Sequence, residues 1–413
     1  MKTLSTDVLI AGAGPVGLLL ALWLTRNGVR VVVVDCAASP GTHSYALGLH
    51  PETVTLLKEC GLGPTLESHA PAHSEMLVYA EEEPVTRLPL AGKQEPLRVF
   101  GQHQLESVLE TKLRSEGVEV LWCHALTDFC ETPDGIEGIV DEREERLVGY
   151  ASAHLDWFAR RSLKINARFL VGADGHRSLT RRRLGLTFRE IGKAEIFAVF
   201  EFVCRDEDTI PVLPTLVFHP KSISALWPTA QGNYRWAFEV DARFTRNVRR
   251  EKDRYLAQWS NDAAFPAVEE GLLRDFIAKR APWFTPKPKN ILWRSVVRFE
   301  RRIASEIGKG RVALVGDSAH LGGPLGMHSV NLGMQEARSL GDALTRWIRD
   351  DEASDILAYR ENTLNRWQAL LANQSQAGSA VYPAAIQPHA NRLAWTLPVP
   401  DDRLAAVLRE LAS

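Results

Sequence analysis

Three glycines near the start of the chain have the spacing that a bound pyrophosphate requires. Gly12, Gly14 and Gly17 form G-x-G-x-x-G, with Pro15 between them. The first glycine permits a tight turn, the second lets the backbone approach the phosphates, and the third lets a helix pack closely, with its positive N-terminus facing the phosphates. Asp35 follows where a carboxylate can accept hydrogen bonds from an adenosine ribose. The pattern predicts a dinucleotide-binding site.

The elements around these glycines decide between two interpretations. Residues 7–11 and 29–34 have the apolar, β-branched character of strands, and the segment between them is helical in pattern. The apolar run 16–24, preceded by Lys2, would also suit a secretory signal. Because glycines interrupt that run and a second strand follows it, we favour strand, turn, helix and strand. We therefore expect a nucleotide-binding unit and a cytoplasmic protein.

The composition argues against several classes of function. The 413 residues include 49 Lys and Arg against 51 Asp and Glu, a formal net charge of −2, so we expect no broad attraction to nucleic acid. No run of about 18 apolar residues is present to form a membrane-spanning helix. The five cysteines are scattered and lack a C-x-x-C pair, so neither a metal site nor a disulfide framework is predicted.

Two further acidic positions follow strand-like segments later in the chain. In FLVGADGHRS, Asp174 comes directly after a strand, and in GRVALVGDSAH the pair Gly316 and Asp317 does the same. A carboxylate at the end of a strand can bind polyol hydroxyls. The loop PLGMHSVN then leads into a helix that we expect to begin near Asn331, whose N-terminus would stabilise negative charge in front of it.

These three stretches, in this order and spacing, resemble the class A flavoprotein monooxygenases, the para-hydroxybenzoate hydroxylase-like family, over roughly residues 5 to 375. Gln102 in FGQHQLESVL lies where that family commonly has a flavin-contacting glutamine. The resemblance implies one FAD, with its pyrophosphate at the glycines, its ribose at Asp35, its ribityl chain at Asp317 and its pyrimidine at the helix near Asn331. The residues expected to contact it are Gly12, Gly14, Pro15, Gly17, Asp35, Gln102, Asp174, Gly316, Asp317, Pro324, Gly326, Met327, His328, Ser329, Val330 and Asn331.

The resemblance also implies an activity. Enzymes of this class reduce FAD with transiently bound NADPH or NADH, form a flavin C4a-hydroperoxide with O2, and transfer oxygen to a substrate in a dry pocket. We therefore expect a monooxygenase that hydroxylates or epoxidises a bulky, mostly apolar or aromatic molecule. Two alternatives stay open. One is a flavin-dependent halogenase, although its typical W-x-W-x-I-P stretch is missing; the other is a non-redox binding or rearrangement protein of the same fold.

The predicted fold class is α/β, with a Rossmann-like (GR2-type) FAD-binding domain, an inserted β-sheet substrate layer and C-terminal helices. We expect the FAD-binding domain to comprise residues 1–70, 98–187 and 290–375, the substrate layer 71–97 and 188–289, and the helical tail 376–413. Short strand-like runs such as TLVFHP and YRWAFEV lie in the substrate layer. The candidate substrate contacts there are His219, Trp227, Arg235 and Trp236. Core packing is the alternative for the tryptophans of this layer, which also include Trp259, Trp283 and Trp293.

The sequence departs from the family pattern at several positions. The loop usually written P-x-G-G-x-G-x-N is PLGMHSVN here, so Met327 and Ser329 replace glycines, and Tyr45 stands where many relatives have arginine. We expect side chains in this loop either to alter its backbone path or to hold the flavin ring outward. His320 is expected to pack and hydrogen-bond within the flavin loop rather than act as a base. The basic run Arg181–Arg183 is expected to form a solvated helix face.

Overall fold

The computed structural model describes residues 2–41, 46–91, 95–148, 154–204, 213–241, 271–372, 381–399 and 401–412. Tyr45 and Trp259 lie outside the described residues, as do residues 205–212 and 242–270 of the expected substrate layer. The described chain combines two large sheets, two small sheets and helices. The predicted α/β fold class is therefore confirmed.

The strands and helices are numbered here in chain order. The strands are β1 Lys2–Ala11, β2 Val31–Val34, β3 Gly48–Leu49, β4 Ala72–His73, β5 Glu75–Ala80, β6 Glu83–Pro89, β7 Leu97–Val99, β8 Val120–Leu121, β9 His124–Thr132, β10 Gly135–Val148, β11 His154–Gly172, β12 Phe188–Glu190, β13 Glu195–Cys204, β14 Thr215–His219, β15 Ser222–Pro228, β16 Asn233–Glu239, β17 Pro288–Phe299, β18 Arg302–Ala304, β19 Gly308–Lys309, β20 Val312–Leu314 and β21 His320–Leu321. The α-helices are α1 Pro15–Arg26, α2 Pro51–Glu59, α3 Gly63–His69, α4 Gln102–Ser115, α5 Leu179–Arg183, α6 Gly271–Arg280, α7 His328–Asp350, α8 Ser354–Ala372, α9 Leu393–Thr396 and α10 Asp401–Ala412.

The first large sheet brings the three sequence motifs to one edge. Its strands β20, β11, β1, β2 and β8 are parallel, and β19 pairs antiparallel at one side. Helix α1 contacts both α4 and α7, and the apolar residues of the three helices share one core with one face of this sheet. Because β1, β11 and β20 run in the same direction, their carboxyl ends lie side by side, which is where ligands bind in open α/β sheets.

The second large sheet has the order β17, β13, β16, β15, β14, β5 and β6, and its pairs are antiparallel except β14 with β5. Its strands alternate, so one face packs against α6 and the other against the C-terminal segment and the loop before α7. Strand β17 pairs along nearly its whole length with β13. The predicted boundary between the substrate layer and the last FAD-binding segment, at residue 290, falls inside β17. This strand belongs to the second sheet up to Phe299, so the boundary comes after Phe299.

The C-terminal segment is held to the second sheet by apolar packing and an ion pair. Its helices α9 and α10 share a core with β5, β6 and β15. The guanidinium of Arg392 donates to both carboxylate oxygens of Glu239, at 2.7 and 2.6 Å. The predicted C-terminal helices are present as α9 and α10. Across the described residues, every helix is too short or too polar to cross a membrane.

Candidate cofactor site and substrate cleft

The glycine loop between β1 and α1 has the three properties that its spacing predicts. Gly12 has φ +110°, and a Cβ atom there would collide with the carbonyl oxygen of Ala173. A Cβ on Gly17 would collide with the carbonyl oxygen of Gly12, so α1 packs directly on the turn. Gly14 differs, because a Cβ there would have no protein atom within 4 Å. The loop is therefore tight on its protein side and open in front of the N-terminus of α1, which begins at Pro15.

Asp35, at the end of β2, organises this loop. Its Oδ2 accepts a hydrogen bond from the Ala13 N–H at 2.7 Å, and its Oδ1 accepts one from the Ala37 N–H at 2.8 Å. The carboxylate thus fixes the glycine turn against the second strand. Each oxygen keeps a further lone pair, so the expected contact with a ribose stays a prediction.

Gln102 opens α4 and joins a buried carboxylate that the sequence alone does not single out. Its Nε2 donates to Oε1 of Glu106 at 2.9 Å, and the Ala46 N–H donates to its Oε1 at 3.4 Å. Oε2 of Glu106 accepts from the Gly41 N–H at 2.8 Å. Burial raises the pKa of Glu106, although these hydrogen bonds act in the opposite direction. The pair therefore holds the backbone on both sides of residues 42–45 close to α4.

Asp174 is engaged in its own turn. Its carboxylate accepts hydrogen bonds from the Ser178 hydroxyl at 2.5 Å and from the Thr180 N–H and hydroxyl at 2.9 and 3.0 Å, which caps α5. The turn lies against the glycine loop, since the Ala173 N–H donates to the Ala11 carbonyl at 2.7 Å. The turn at residues 173–175 thus supports the glycine loop after β1. Direct contact of Asp174 with the cofactor stays a prediction.

Arg181 links the second motif to the third, contrary to the prediction of a solvated basic face. Only Arg182 and Arg183 of the run are exposed, whereas Arg181 is 4% exposed. It donates to the Ser318 carbonyl at 2.6 Å and stacks over the ring of Phe188 at 3.7 Å. On this helix of five residues Arg181 lies on the side that contacts Ser318 and Phe188, so only the two arginines after it reach solvent.

Asp317 follows β20 and faces the open side of the sheet edge. Its side chain is exposed to solvent, yet it sits among enough protein that desolvation raises its pKa to about 6. His320 lowers this pKa and Glu336 raises it. A carboxyl group in such a cleft, reachable by a ligand but poorly hydrated, is suited to binding hydroxyl groups. Its neighbour Gly316 has φ +61° and packs against Val16 of α1.

A buried network stands behind this turn. Nε2 of His320 lies 2.7 Å from Oε2 of Glu336, and the indole N–H of Trp367 donates to Oε1 of Glu336 at 2.7 Å. The imidazole also stacks on Trp367, with ring centroids 3.8 Å apart. Burial raises the pKa of Glu336, but His320 and these hydrogen bonds outweigh it, so the pKa lies below its ordinary value. His320 is thus packed and hydrogen-bonded, as predicted, through a carboxylate that the sequence did not single out.

The loop before α7 keeps a left-handed residue although glycine is replaced. Met327 has φ +54° and ψ 26°, and α7 begins at His328, three residues before the predicted start. Nδ2 of Asn331 donates to the carbonyls of Met327 and Gly48, both at 2.9 Å, and Oδ1 of Asn331 accepts from the His50 N–H at 2.7 Å. The backbone path that suits glycine is therefore retained, and Asn331 ties it to β3.

The remaining residues of this loop are also fixed by hydrogen bonds. The Gly322 N–H donates to the hydroxyl of Ser329 at 2.7 Å, which joins the two ends of the loop. His50 lies 2.9 Å from the Gly326 carbonyl through Nε2 and meets His328 edge to face, with centroids 5.4 Å apart. Burial first, and repulsion from His328 second, lower the pKa of His50 to about 3. It is therefore neutral at physiological pH.

A cleft separates this loop from the second sheet. The residues that line it are Leu47, Phe197, Val199, Trp227, Arg235, Ala237, Trp293, Val297, Phe299, Pro324, Leu325 and Met327. One row of paired residues crosses four strands at the cleft: Trp293, Glu201, Arg235 and Trp227. Oε2 of Glu201 accepts from Nη2 and Nε of Arg235 at 2.5 and 3.2 Å.

Two of the four candidate substrate residues line this cleft and two do not. Trp227 and Arg235 belong to its lining. Trp236 lies outside this cleft, because the alternation of β16 turns it to the opposite face, where it stacks with Phe238 at 5.0 Å. His219 also lies outside this cleft, since it is at the end of β14 and its Nε2 is 3.2 Å from the Arg280 carbonyl.

A protein-family model described as an FAD binding domain matches residues 5–374. The chain belongs to this FAD-binding family. The similarity to FAD-binding proteins is therefore not limited to the three motifs but covers most of the chain, and the cofactor of the family is FAD.

Among curated relatives, the 6-methylpretetramide 4-monooxygenase of Streptomyces rimosus is 29% identical over 358 residues, which are 85% of this chain and 58% of the relative. The 3-(3-hydroxy-phenyl)propionate/3-hydroxycinnamic acid hydroxylase of Mycolicibacterium smegmatis is 25% identical over 397 residues, 92% of this chain and 62% of the relative. The chain thus spans about three fifths of the length of these relatives.

Solved structures show the same fold. The p-nitrophenol 4-monooxygenase from Pseudomonas putida DLL-E4 aligns over 100% of this chain and 95% of its own, with a TM-score of 0.70 and 21% identity. A ternary complex of aklavinone-11 hydroxylase with FAD and aklavinone aligns over 97% of this chain and 72% of its own, with a TM-score of 0.67 and 21% identity. At these identities the similarity establishes architecture, and activity has to be argued from the site.

The residues present fit FAD at its phosphate and polyol ends. The open space at Gly14 lies before the N-terminus of α1, where the backbone N–H groups and the helix dipole favour a pyrophosphate. Asp317 offers an accessible carboxyl group further along the same sheet edge. The expected position of the flavin ring, beside the start of α7, differs from these two, because the side chain of Met327 packs against Gly48 there. The site therefore fits the cofactor, with one side chain of this chain at the ring end.

Proposed function

We propose that this protein is an FAD-dependent monooxygenase that uses NADPH or NADH and O2 to hydroxylate or epoxidise a bulky, mostly apolar or aromatic substrate. The observation that carries the proposal is the shared wall of the two sites. Pro324, Leu325 and Met327 belong to the loop before α7 and also line the cleft. A substrate in the cleft would therefore lie against the ring end of the cofactor.

The residues that would hold FAD follow from the sheet edge. The open backbone at Gly14 would bind the pyrophosphate, Asp35 the adenosine ribose, Gln102 the flavin and Asp317 the ribityl hydroxyls. FAD held there and reduced by NAD(P)H would activate O2, so that one oxygen atom goes to the substrate and the other leaves as water. The N-terminus of α7, a helix of 23 residues, would stabilise negative charge in front of it.

The cleft supplies position and dryness. Its apolar and aromatic lining keeps water from a bound substrate and offers the indoles of Trp227 and Trp293 as flat surfaces. Arg235 is the charged residue among the described residues that line it, and its guanidinium lies 5.3 Å from the Trp293 ring centroid. A planar aromatic substrate with few polar groups matches this lining. The relatives named for phenylpropionate and polyketide substrates support the same class.

The test combines the visible absorption spectrum of the purified protein with oxygen transfer. The FAD-loaded protein is incubated with NADPH, 18O2 and either 3-(3-hydroxyphenyl)propionate or a tetracyclic aromatic polyketide. We expect a flavin spectrum and one 18O atom in the product by mass spectrometry. NADPH oxidation that yields only hydrogen peroxide with every aromatic acceptor would refute the oxygen-transfer proposal.

A second candidate, a protein that keeps the fold and FAD but transfers no oxygen, is supported by one observation. The side chain of Met327 occupies space beside the start of α7 that glycine would leave open. Oxygen uptake on addition of NADPH separates this candidate from an oxygenase, because such a protein consumes no O2 beyond the background rate. The protein is also proposed to work in the cytoplasm, because it would use NAD(P)H and its five cysteines, all of them among the described residues, form no disulfide bond.

A further inference from the structure

Met327 occupies a position that is unusual for its residue type. It is the N-cap residue of α7, with a left-handed backbone (φ +54°) that favours glycine. Its side chain is only 6% exposed and is counted in the core between the second sheet and the C-terminal segment. A buried side chain on a left-handed residue implies that contacts of the thioether compensate for the conformation.

Those contacts join α7 to β3. The Gly48 N–H donates to Sδ of Met327 at 2.8 Å, and a Cβ on Gly48 would collide with Cε of Met327. Asn331 holds the two segments together independently, through the carbonyls of Met327 and Gly48. The thioether of Met327 therefore fills the gap between α7 and β3. The bonds of Asn331 set the width of this gap, and the thioether fits into it because residue 48 is a glycine without a Cβ atom.

The gap lies between the two ligand sites of the molecule. On one side, Gly333 of α7 packs against Val16 and Gly316, so the first turns of α7 border the phosphate loop and the Asp317 turn. On the other side, Met327 lines the substrate cleft. A cofactor with its pyrophosphate at Gly14 and its polyol at Asp317 must extend its ring past this point to reach the cleft.

We propose that the Met327 side chain is a displaceable partition between the cofactor site and the substrate cleft. In the structure its thioether closes the gap between α7 and β3 by lying against Gly48. When the isoalloxazine ring binds, the thioether leaves Gly48, turns into the cleft and forms the wall against which the substrate packs. Methionine is suited to this because it is unbranched and has three rotatable bonds. Met327 would thus position the substrate rather than react with it. This inference rests on the proposed function in one respect, because it requires the flavin ring to reach the cleft.

The test uses the methionine methyl groups as probes in the full chain. The sequence has four methionines, Met1, Met76, Met327 and Met334, so 13C-methyl labelling gives few signals, and Met327→Leu assigns the one in question. FAD should shift the Met327 signal strongly, whereas ADP, which lacks the ring, should leave it in place. Met76, buried in the core between the second sheet and the C-terminal segment, is the internal reference. An unmoved Met327 signal at saturating FAD, or an equal shift with ADP, overturns the proposal.

A second measurement tests whether displacement of the Met327 side chain lowers the affinity for FAD. Met327→Gly should bind FAD roughly tenfold more tightly in a fluorescence titration, because no buried thioether contact is broken. Its affinity for ADP should equal that of the parent, and Met76→Leu serves as the matched control. Circular dichroism verifies that each variant is folded. Equal FAD affinity in the parent and Met327→Gly overturns the proposal, whereas FAD binding with the expected shift but without oxygen transfer refutes only the proposed function.

Discussion

Replacing Gly14 by valine is expected to abolish FAD retention without weakening the fold. Gly14 has φ −68° and ψ 178°, an extended conformation that any residue adopts, and a Cβ there has no protein atom within 4 Å. The protein therefore has room for the side chain. The same room lies in front of the N-terminus of α1, so the branched side chain would occupy the space of the pyrophosphate.

The size of the effect follows from the bonds that are lost. A charge-assisted hydrogen bond contributes about 1.5 to 3 kcal/mol, so losing two between backbone and pyrophosphate weakens binding by about 3 to 6 kcal/mol, a factor of roughly 10² to 10⁴. Gly17→Ala is the matched control variant, because its added side chain meets protein atoms and not the space of the ligand. Its Cβ would collide with the Gly12 carbonyl and lie 3.2 Å from Cβ of Ala173, an overpacking that costs about 1 to 3 kcal/mol of folding stability.

Both variants are compared with the parent by thermal unfolding without FAD and by fluorescence titration of the apoprotein with FAD. Gly14→Val should unfold at the parent's temperature and fail to bind FAD, whereas Gly17→Ala should unfold at a lower temperature. Parental flavin content in a folded Gly14→Val protein would falsify the placement of the pyrophosphate. A Gly14→Val protein that unfolds as early as Gly17→Ala would show that the space in front of α1 is not available to a ligand.

Other perturbations test the rest of the site. Asp317→Ala should weaken FAD binding by about 1.5 to 3 kcal/mol, and an unchanged titration would remove this residue from the ribityl site. Because the folded-state pKa of Asp317, about 6, exceeds its unfolded value, this residue destabilises the folded protein increasingly as pH rises from about 4 to 6; Asp317→Asn should therefore unfold at a higher temperature than the parent at pH 7 and lose that advantage near pH 4. Glu336→Gln should cost about 1 to 3 kcal/mol in chemical denaturation, since it removes the charged partner of buried His320, and a loss below about 0.5 kcal/mol would contradict that role. Met327→Gly combined with Ser329→Gly should tighten FAD binding or raise the flavin midpoint potential, and no change in either would make the departure from glycine neutral.

The parts of the site that sequence predicts are those fixed by local backbone requirements. Gly12 and Gly17 are needed because a Cβ at either position collides with a neighbouring carbonyl oxygen, and such needs appear as glycines at fixed spacing. The positions of Asp35 and Asp317 are predictable because Asp35 directly follows β2 and Asp317 lies in the turn after β20, and the carboxyl ends of these parallel strands reach the ligand edge of the sheet. The α/β class follows from the same alternation of strand and helix.

The parts that sequence misses depend on contacts between distant segments. Glu336 lies in the middle of α7 with nothing to mark it, and its role appears only when His320 and Trp367 are brought beside it. Trp236 differs from Arg235 by one position, and the pairing of β16 decides which of the two faces the cleft. Strand direction and pairing register are properties of the assembled sheet. The sequence alone therefore indicates both residues as candidates for the cleft but does not show which of the two side chains faces it.

The substitutions in the loop before α7 show why a motif departure need not change a backbone. Glycine at position 327 would make the left-handed turn inexpensive, yet Met327 adopts it because Asn331 and the Gly48 N–H hold both its carbonyl and its thioether. Ser329 adds a bond to the Gly322 N–H that glycine could not make. The path of this loop is therefore maintained by contacts from outside it. What the two side chains change is the space in front of the loop, so their effect is expected on the ligands rather than on the fold.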